Sequence, residues 1–131
     1  LQLTKQGDYA IRTILELASR PPDTVVPVRE IAERQEIPLP FLNKIVQVLA
    51  RTGVVLTIRG NQGGVRLLLP PEKITLRQIV EAIEGPIALN QCLLGQGVCS
   101  RDNFCRVHQV WMEAQEALLS RLEAVTFNQL V

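Results

Sequence analysis

The residues of this chain best suited to chemistry are its three cysteines and its one histidine, and all four fall in CLLGQGVCSRDNFCRVH, residues 92–108. Thiolates and imidazole are donors for zinc and for iron–sulfur clusters. The spacing C-x6-C-x5-C-x2-H lacks the cysteine pairs, two to four residues apart, that usually build a structural zinc site. A cluster is wider than a single ion and accommodates well-separated thiolates on a glycine-bearing loop. It takes four ligands as a rule: Cys92, Cys99, Cys105 and one more. His108 follows Cys105 at i+3 on a helix start and can face the same point. A zinc site and a redox or electron-transfer use of the same thiols are the competing readings. A disulfide fits poorly with an odd cysteine count and a reducing compartment.

That compartment follows from what is missing. No apolar run approaches membrane-spanning length, and the opening LQLTKQGDYAIR is no signal peptide, so a soluble cytoplasmic protein with no membrane partner is expected. One histidine and no Ser/His/Asp arrangement leave no catalytic constellation, so an enzyme is not expected.

The elements around the cysteines point to DNA. Thr4 can cap a helix running to about Ser19, with Ala10, Ile11, Ile14, Leu15 and Leu17 or Ala18 as its apolar stripe. A second helix covers about Val28 to Gln35. After the turn Glu36-Ile37-Pro38, Pro40 can sit in the first turn of a third helix that runs to about Thr52, where Gly53 can stop it, with Phe41, Leu42, Ile45, Val48 and Leu49 as its apolar positions. This is a helix-turn-helix. Its second helix presents Pro40, Phe41, Asn43, Lys44 and Gln47 toward a major groove, where Asn and Gln can pair with adenine and Lys with guanine or phosphate.

The segments Val54–Ile58 and Val65–Leu69 flank turn-forming residues and predict a β-hairpin, the wing of a winged helix. Arg59, Gly60, Asn61, Gly63, Gly64 and Arg66 form its tip, and an arginine there can enter a narrow minor groove. Lys5 and Arg12 add possible phosphate contacts. The charge distribution agrees. The net charge is only +1, yet residues 37–71 contain no acid and carry Lys44, Arg51, Arg59 and Arg66.

A fourth helix is capped by Thr75, packs through Ile79, Val80 and Ile83, and ends at Gly85-Pro86. A long helix then runs from about Phe104 to Thr126, with Val107, Val110, Trp111, Ala114, Leu118, Leu122 and Val125 on one stripe. That stripe must fold back or pair with a second subunit, and pairing suits a twofold DNA site. The expected class is mainly α with a small β-hairpin, a winged helix-turn-helix plus a long C-terminal dimerisation helix. The expected division is 1–85 for DNA binding, 86–105 for the cysteine loop and 106–131 for dimerisation.

Together LTKQGDYAIR, the helix-turn-helix, RGNQGGVRLLL, the cysteine triplet and the terminal helix resemble the Rrf-two (Rrf2) family of bacterial regulators over essentially the whole chain. The likeness is greatest to its iron–sulfur cluster regulators, where three cysteines and a histidine hold a 2Fe–2S cluster. CRVHQVW is similar to the segment bearing the third cysteine and the histidine. The resemblance implies a homodimeric transcription factor, repressor or activator, that binds double-stranded operator DNA according to cluster status. A nitric-oxide-sensing branch holds a 4Fe–4S cluster with an aspartate where Asp8 stands, which makes Asp8 a rival fourth ligand and 4Fe–4S the alternative cluster. Two features depart from the cluster regulators: six residues, not five, separate Cys92 from Cys99, and Pro38 and Pro40 replace small polar residues. A zinc-stabilised winged helix that binds DNA constitutively is the alternative function.

Overall fold

The structure, a computed structural model, describes residues 2–89 and 106–131. Helix α1 spans Lys5–Ala18, and the Thr4 hydroxyl caps it by accepting from the Gly7 N–H at 3.2 Å. Its inner face places Ala10, Ile14, Leu17 and Ala18 in the core. Helix α2 spans Val28–Gln35 and stops at Glu36, which takes a left-handed conformation at φ 54°. The Ile37 N–H then turns back to the Ala32 carbonyl at 2.9 Å.

Helix α3, Leu39–Arg51, carries Pro40 in its first turn. Leu42, Ile45, Val46 and Leu49 are its buried stripe. Two of its apolar positions lie outside that stripe: Val48 is half-buried and Phe41 is 46% exposed. At 100° per residue the true stripe is centred on the 42/45/46/49 face, and Phe41 falls on its margin.

Strands β1 (Val55–Ile58) and β2 (Gly64–Leu67) pair antiparallel with Val55 opposite Leu67 and Ile58 opposite Gly64. The piece before α2 joins them: Val26 and Val65 exchange two backbone hydrogen bonds of 2.9 Å. This approach requires glycine at position 64. Its φ is +156°, and a Cβ there would lie 2.2 Å from the Val26 carbonyl oxygen.

Helix α4 spans Leu76–Glu84, capped by the Thr75 hydroxyl accepting from the Gln78 N–H at 3.0 Å, and buries Ile79 and Val80. Helix α5 spans Arg106–Ala124 and has no fully buried residue. Its stripe divides. Leu118 and Leu122 are half-buried, as is Val125 just beyond the helix, while Val107, Val110 and Trp111 are exposed.

Beyond α5 the chain returns to the winged-helix core, which periodicity does not anticipate. The Leu76 N–H donates to the Val125 carbonyl at 2.9 Å, and the Phe127 N–H donates to the Ile74 carbonyl at 3.0 Å. Phe127 starts a 3-10 turn (Phe127–Gln129) with its side chain wholly buried, in one cluster with Ala10, Ile14, Leu49 and Ile79. Among the described residues no helix is long and apolar enough to cross a membrane.

Candidate functional site

The exposed face of α3 is built by what its buried face needs. With Leu42, Ile45, Val46 and Leu49 inside, the helical period turns Pro40, Asn43, Lys44 and Gln47 out, and all four are exposed. Lys44 has no ion-pair or hydrogen-bond partner among the described residues. No side chain caps α3, and Pro38 and Pro40 leave its first turn without polar side chains. Asn43, Lys44 and Gln47 therefore supply the donors and acceptors of this face, about one turn into the helix.

At the wing, Arg59, Gly60 and Asn61 are exposed, and Gly63 and Gly64 are half-buried. The Gly63 N–H closes the tip on the Gly60 carbonyl at 3.0 Å. The two wing arginines differ. Arg66 turns back, with Nη1 3.2 Å from the Leu67 carbonyl and 3.5 Å from an Asp23 carboxylate oxygen. Arg59 has no partner among the described residues and is the cation free to meet a phosphate or a groove. Arg59→Ala is therefore expected to weaken duplex binding at fixed salt. The slope of log affinity against log salt should become shallower by about 1, the signature of one lost phosphate neutralised. Arg66→Ala should change it less, and equal slopes for Arg59→Ala and the unsubstituted protein would remove Arg59 from the interface.

Lys5 is exposed at the start of α1. Arg12 is already engaged: Nε and Nη2 donate to Asp8 Oδ2 at 3.0 and 2.5 Å, and Nη1 donates to the Gln35 carbonyl at 2.8 Å. It ties α1 to the last residue of α2, just ahead of the turn into α3. Sequence reasoning offered Arg12 as a phosphate contact; the structure gives it a positioning task.

A second polar link, unseen in the sequence, runs beside it. Glu16 is 4% exposed, and its carboxylate accepts from Gln35 Nε2 at 2.8 Å, Arg20 Nε at 3.0 Å and Arg34 Nε at 3.1 Å. Arg20 also reaches Glu30 at 2.6 Å. Burial by itself would push the Glu16 pKa up. The hydrogen bonds from Gln35, Arg20 and Arg34, with the charge of Arg34, outweigh it and hold the carboxyl below its ordinary value. A buried acid on an otherwise apolar helix face is the signal that could have revealed this link.

Cys92, Cys99 and Cys105 lie outside the described residues. His108 lies in the first turn of α5, half-buried, and its Nδ1 is buried without a hydrogen-bond partner among the described residues. A buried imidazole nitrogen left without a hydrogen-bond partner is costly. Asp8, the rival ligand, is 46% exposed at its side chain and already holds Arg12. The chain leading into the cysteine segment is fastened at two points. The Leu89 N–H donates to Gln115 Oε1 on α5 at 3.0 Å. At the close of α4, Glu84 Oε1 accepts from the Thr4 N–H at 2.6 Å and the Thr4 hydroxyl at 2.5 Å.

A family model described as "Rrf2: Iron-dependent Transcriptional regulator" matches residues 3–131. The HTH-type transcriptional regulator IscR of Aliivibrio salmonicida is 29% identical over 131 residues, spanning all of this chain and 77% of its own. The HTH-type transcriptional regulator NsrR of Shouchella clausii is 33% identical over 132 residues, spanning all of this chain and 89% of its own. Among solved structures, CymR, the global cysteine regulator of B. subtilis, is similar at a TM-score of 0.81 and 26% identity, over 99% of this chain and 95% of that one. With a winged helix-turn-helix in place and the family pattern matched from residue 3 to residue 131, the chain belongs to the Rrf2 family of DNA-binding transcriptional regulators and is not an enzyme.

Proposed function

We propose that this chain is a homodimeric regulator that holds an iron–sulfur cluster, 2Fe–2S in preference to 4Fe–4S, and binds promoter operator DNA according to cluster status. The observation that carries the proposal is the buried Nδ1 of His108, without a hydrogen-bond partner among the described residues and three residues after Cys105. Cys92, Cys99, Cys105 and His108 would hold the cluster, and Asp8, committed to Arg12, ranks behind His108. When bound, the cluster supplies a redox-active iron centre.

The chain's own contribution is connection. Leu89 is tied to α5, and Glu84 is tied to the cap of α1, so the chain leading into the cysteine segment rests on two other helices. From α1, Arg12 reaches the Gln35 carbonyl just before the turn into α3. A shift at the segment therefore has a bonded route to the reading helix. The exposed Val107, Val110 and Trp111 at the start of α5 supply an apolar face for a second copy, next to the same segment. Twofold pairing sets the spacing of two reading helices, to which affinity for paired half-sites is sensitive.

The test is purification without oxygen, followed by visible absorbance and iron, sulfide and zinc analysis. A coloured protein with iron and sulfide is expected. His108→Ala should alter its spectrum, Asp8→Ala should not, and DNA affinity should differ with and without the cluster. A colourless protein with one zinc per chain would overturn the reading. If neither variant changes the spectrum, both ligand assignments fall.

A further inference from the structure

The first turn of α3 is where a helix-turn-helix comes nearest to base edges, and here it has no hydrogen-bonding side chain. Pro38, Leu39, Pro40 and Phe41 occupy it, and no side chain caps the helix. Phe41 is 46% exposed there. A lone exposed apolar residue is ordinary, but this one is held in place. Its ring lies 6.3 Å from that of Tyr9, tilted by 55°. The Tyr9 ring is in turn covered by the Arg12 guanidinium carbon at 5.4 Å, and Arg12 is fixed by Asp8 and the Gln35 carbonyl. One face of Phe41 is thus backed by a fixed column while the rest stays open to solvent.

An aromatic ring offers a base edge neither a donor nor an acceptor that could tell purines apart. What it can recognise in the major groove is the C5-methyl of thymine, the one apolar group displayed there. Pre-ordering by Tyr9 lowers the entropy lost on contact. We propose that Phe41 is a specificity-determining residue that reads a thymine methyl in each half-site, while Asn43, Lys44 and Gln47 serve the hydrogen-bonding positions. This rests on the reading of α3 as the DNA-reading helix.

The experiment begins with selection of duplexes from a random pool by the full-length protein, with and without cluster. Each thymine of the selected site is then replaced singly by deoxyuridine, which removes only the methyl. One symmetry-related position should lose about fourfold in affinity per half-site, the value of one buried methyl. Phe41→Ala should bind more weakly to the thymine duplex and show no such dependence, whereas Phe41→Leu should retain part of it. Because Phe41 is exposed, folding of the variants is checked by circular dichroism, and the leucine variant keeps the comparison informative if the alanine variant is impaired. A flat uridine scan, or an unchanged methyl dependence in Phe41→Ala, overturns the proposal and leaves DNA binding intact. Failure to enrich any sequence in either form overturns the DNA reading and this proposal with it.

Discussion

Replacing Phe127 by alanine is expected to lower the free energy of unfolding by about 3–5 kcal/mol, the range for emptying a fully buried aromatic site. The residue is 0% exposed and lies in the cluster that also holds Ala10 and Ile14 of α1 and Leu49 of α3. The site resists collapse because the backbone on both sides is pinned: Leu76 bonds to Val125, and Phe127 to Ile74. Phe127→Leu should cost much less. Urea unfolding at fixed protein concentration measures both. An unchanged midpoint for the alanine variant would show that the C-terminal turn folds apart from the winged helix.

The second large effect is expected at Glu16. Removing this carboxylate with Glu16→Ala should cost about 2–4 kcal/mol at neutral pH, since Gln35, Arg20 and Arg34 lose a shared buried acceptor. The lower end applies because Arg34 is 62% exposed at its side chain and regains water. The pH dependence has a definite sign. The Glu16 pKa is lowered from 4.5 on folding, so its contribution is complete above that value. It fades as pH falls from 4.5 through the lower folded value, where the native carboxylate takes up a proton. The stability gap between wild type and Glu16→Gln should therefore be constant near neutrality and narrow in acid. A gap that stays constant well into acid would show that the ionised carboxylate is not what the network uses.

The legible parts of this chain are those where one local signal governs. Thr4 and Thr75 announce helix starts because a hydroxyl before an apolar-periodic run has one favourable use, and both cap as expected. The Gly-rich tip between two β-branched runs specifies the hairpin, although each strand has four residues rather than the expected five, and the second starts at Gly64, opposite Ile58. Phe41 is apolar by type yet exposed, because helical phase places it on the margin of the buried stripe. Phe127 was missed because it lies past the end of the α5 periodicity and owes its burial to partners far away in sequence. The polar links were illegible for the same reason. Glu16 and Arg34, or Arg12 and Gln35, become neighbours only after α1 and α2 pack. At the cysteine segment the sequence supplies the donors, Cys92, Cys99, Cys105 and His108, and the structure adds a buried nitrogen of the last with no hydrogen-bond partner among the described residues.

The burial of Phe127 also sets an order of events during synthesis. Chains emerge from the ribosome N-terminus first, at about 5–20 residues per second. Helix α3 and the wing, complete by Leu67, are therefore exposed well before the residue that completes the core cluster. Until position 127 emerges, the nascent regulator has its reading surfaces but not its finished interior. A message truncated just short of that codon would yield a product with every wing and reading-helix residue present and a hole at its centre, a natural substrate for proteolysis rather than a competitor for promoters.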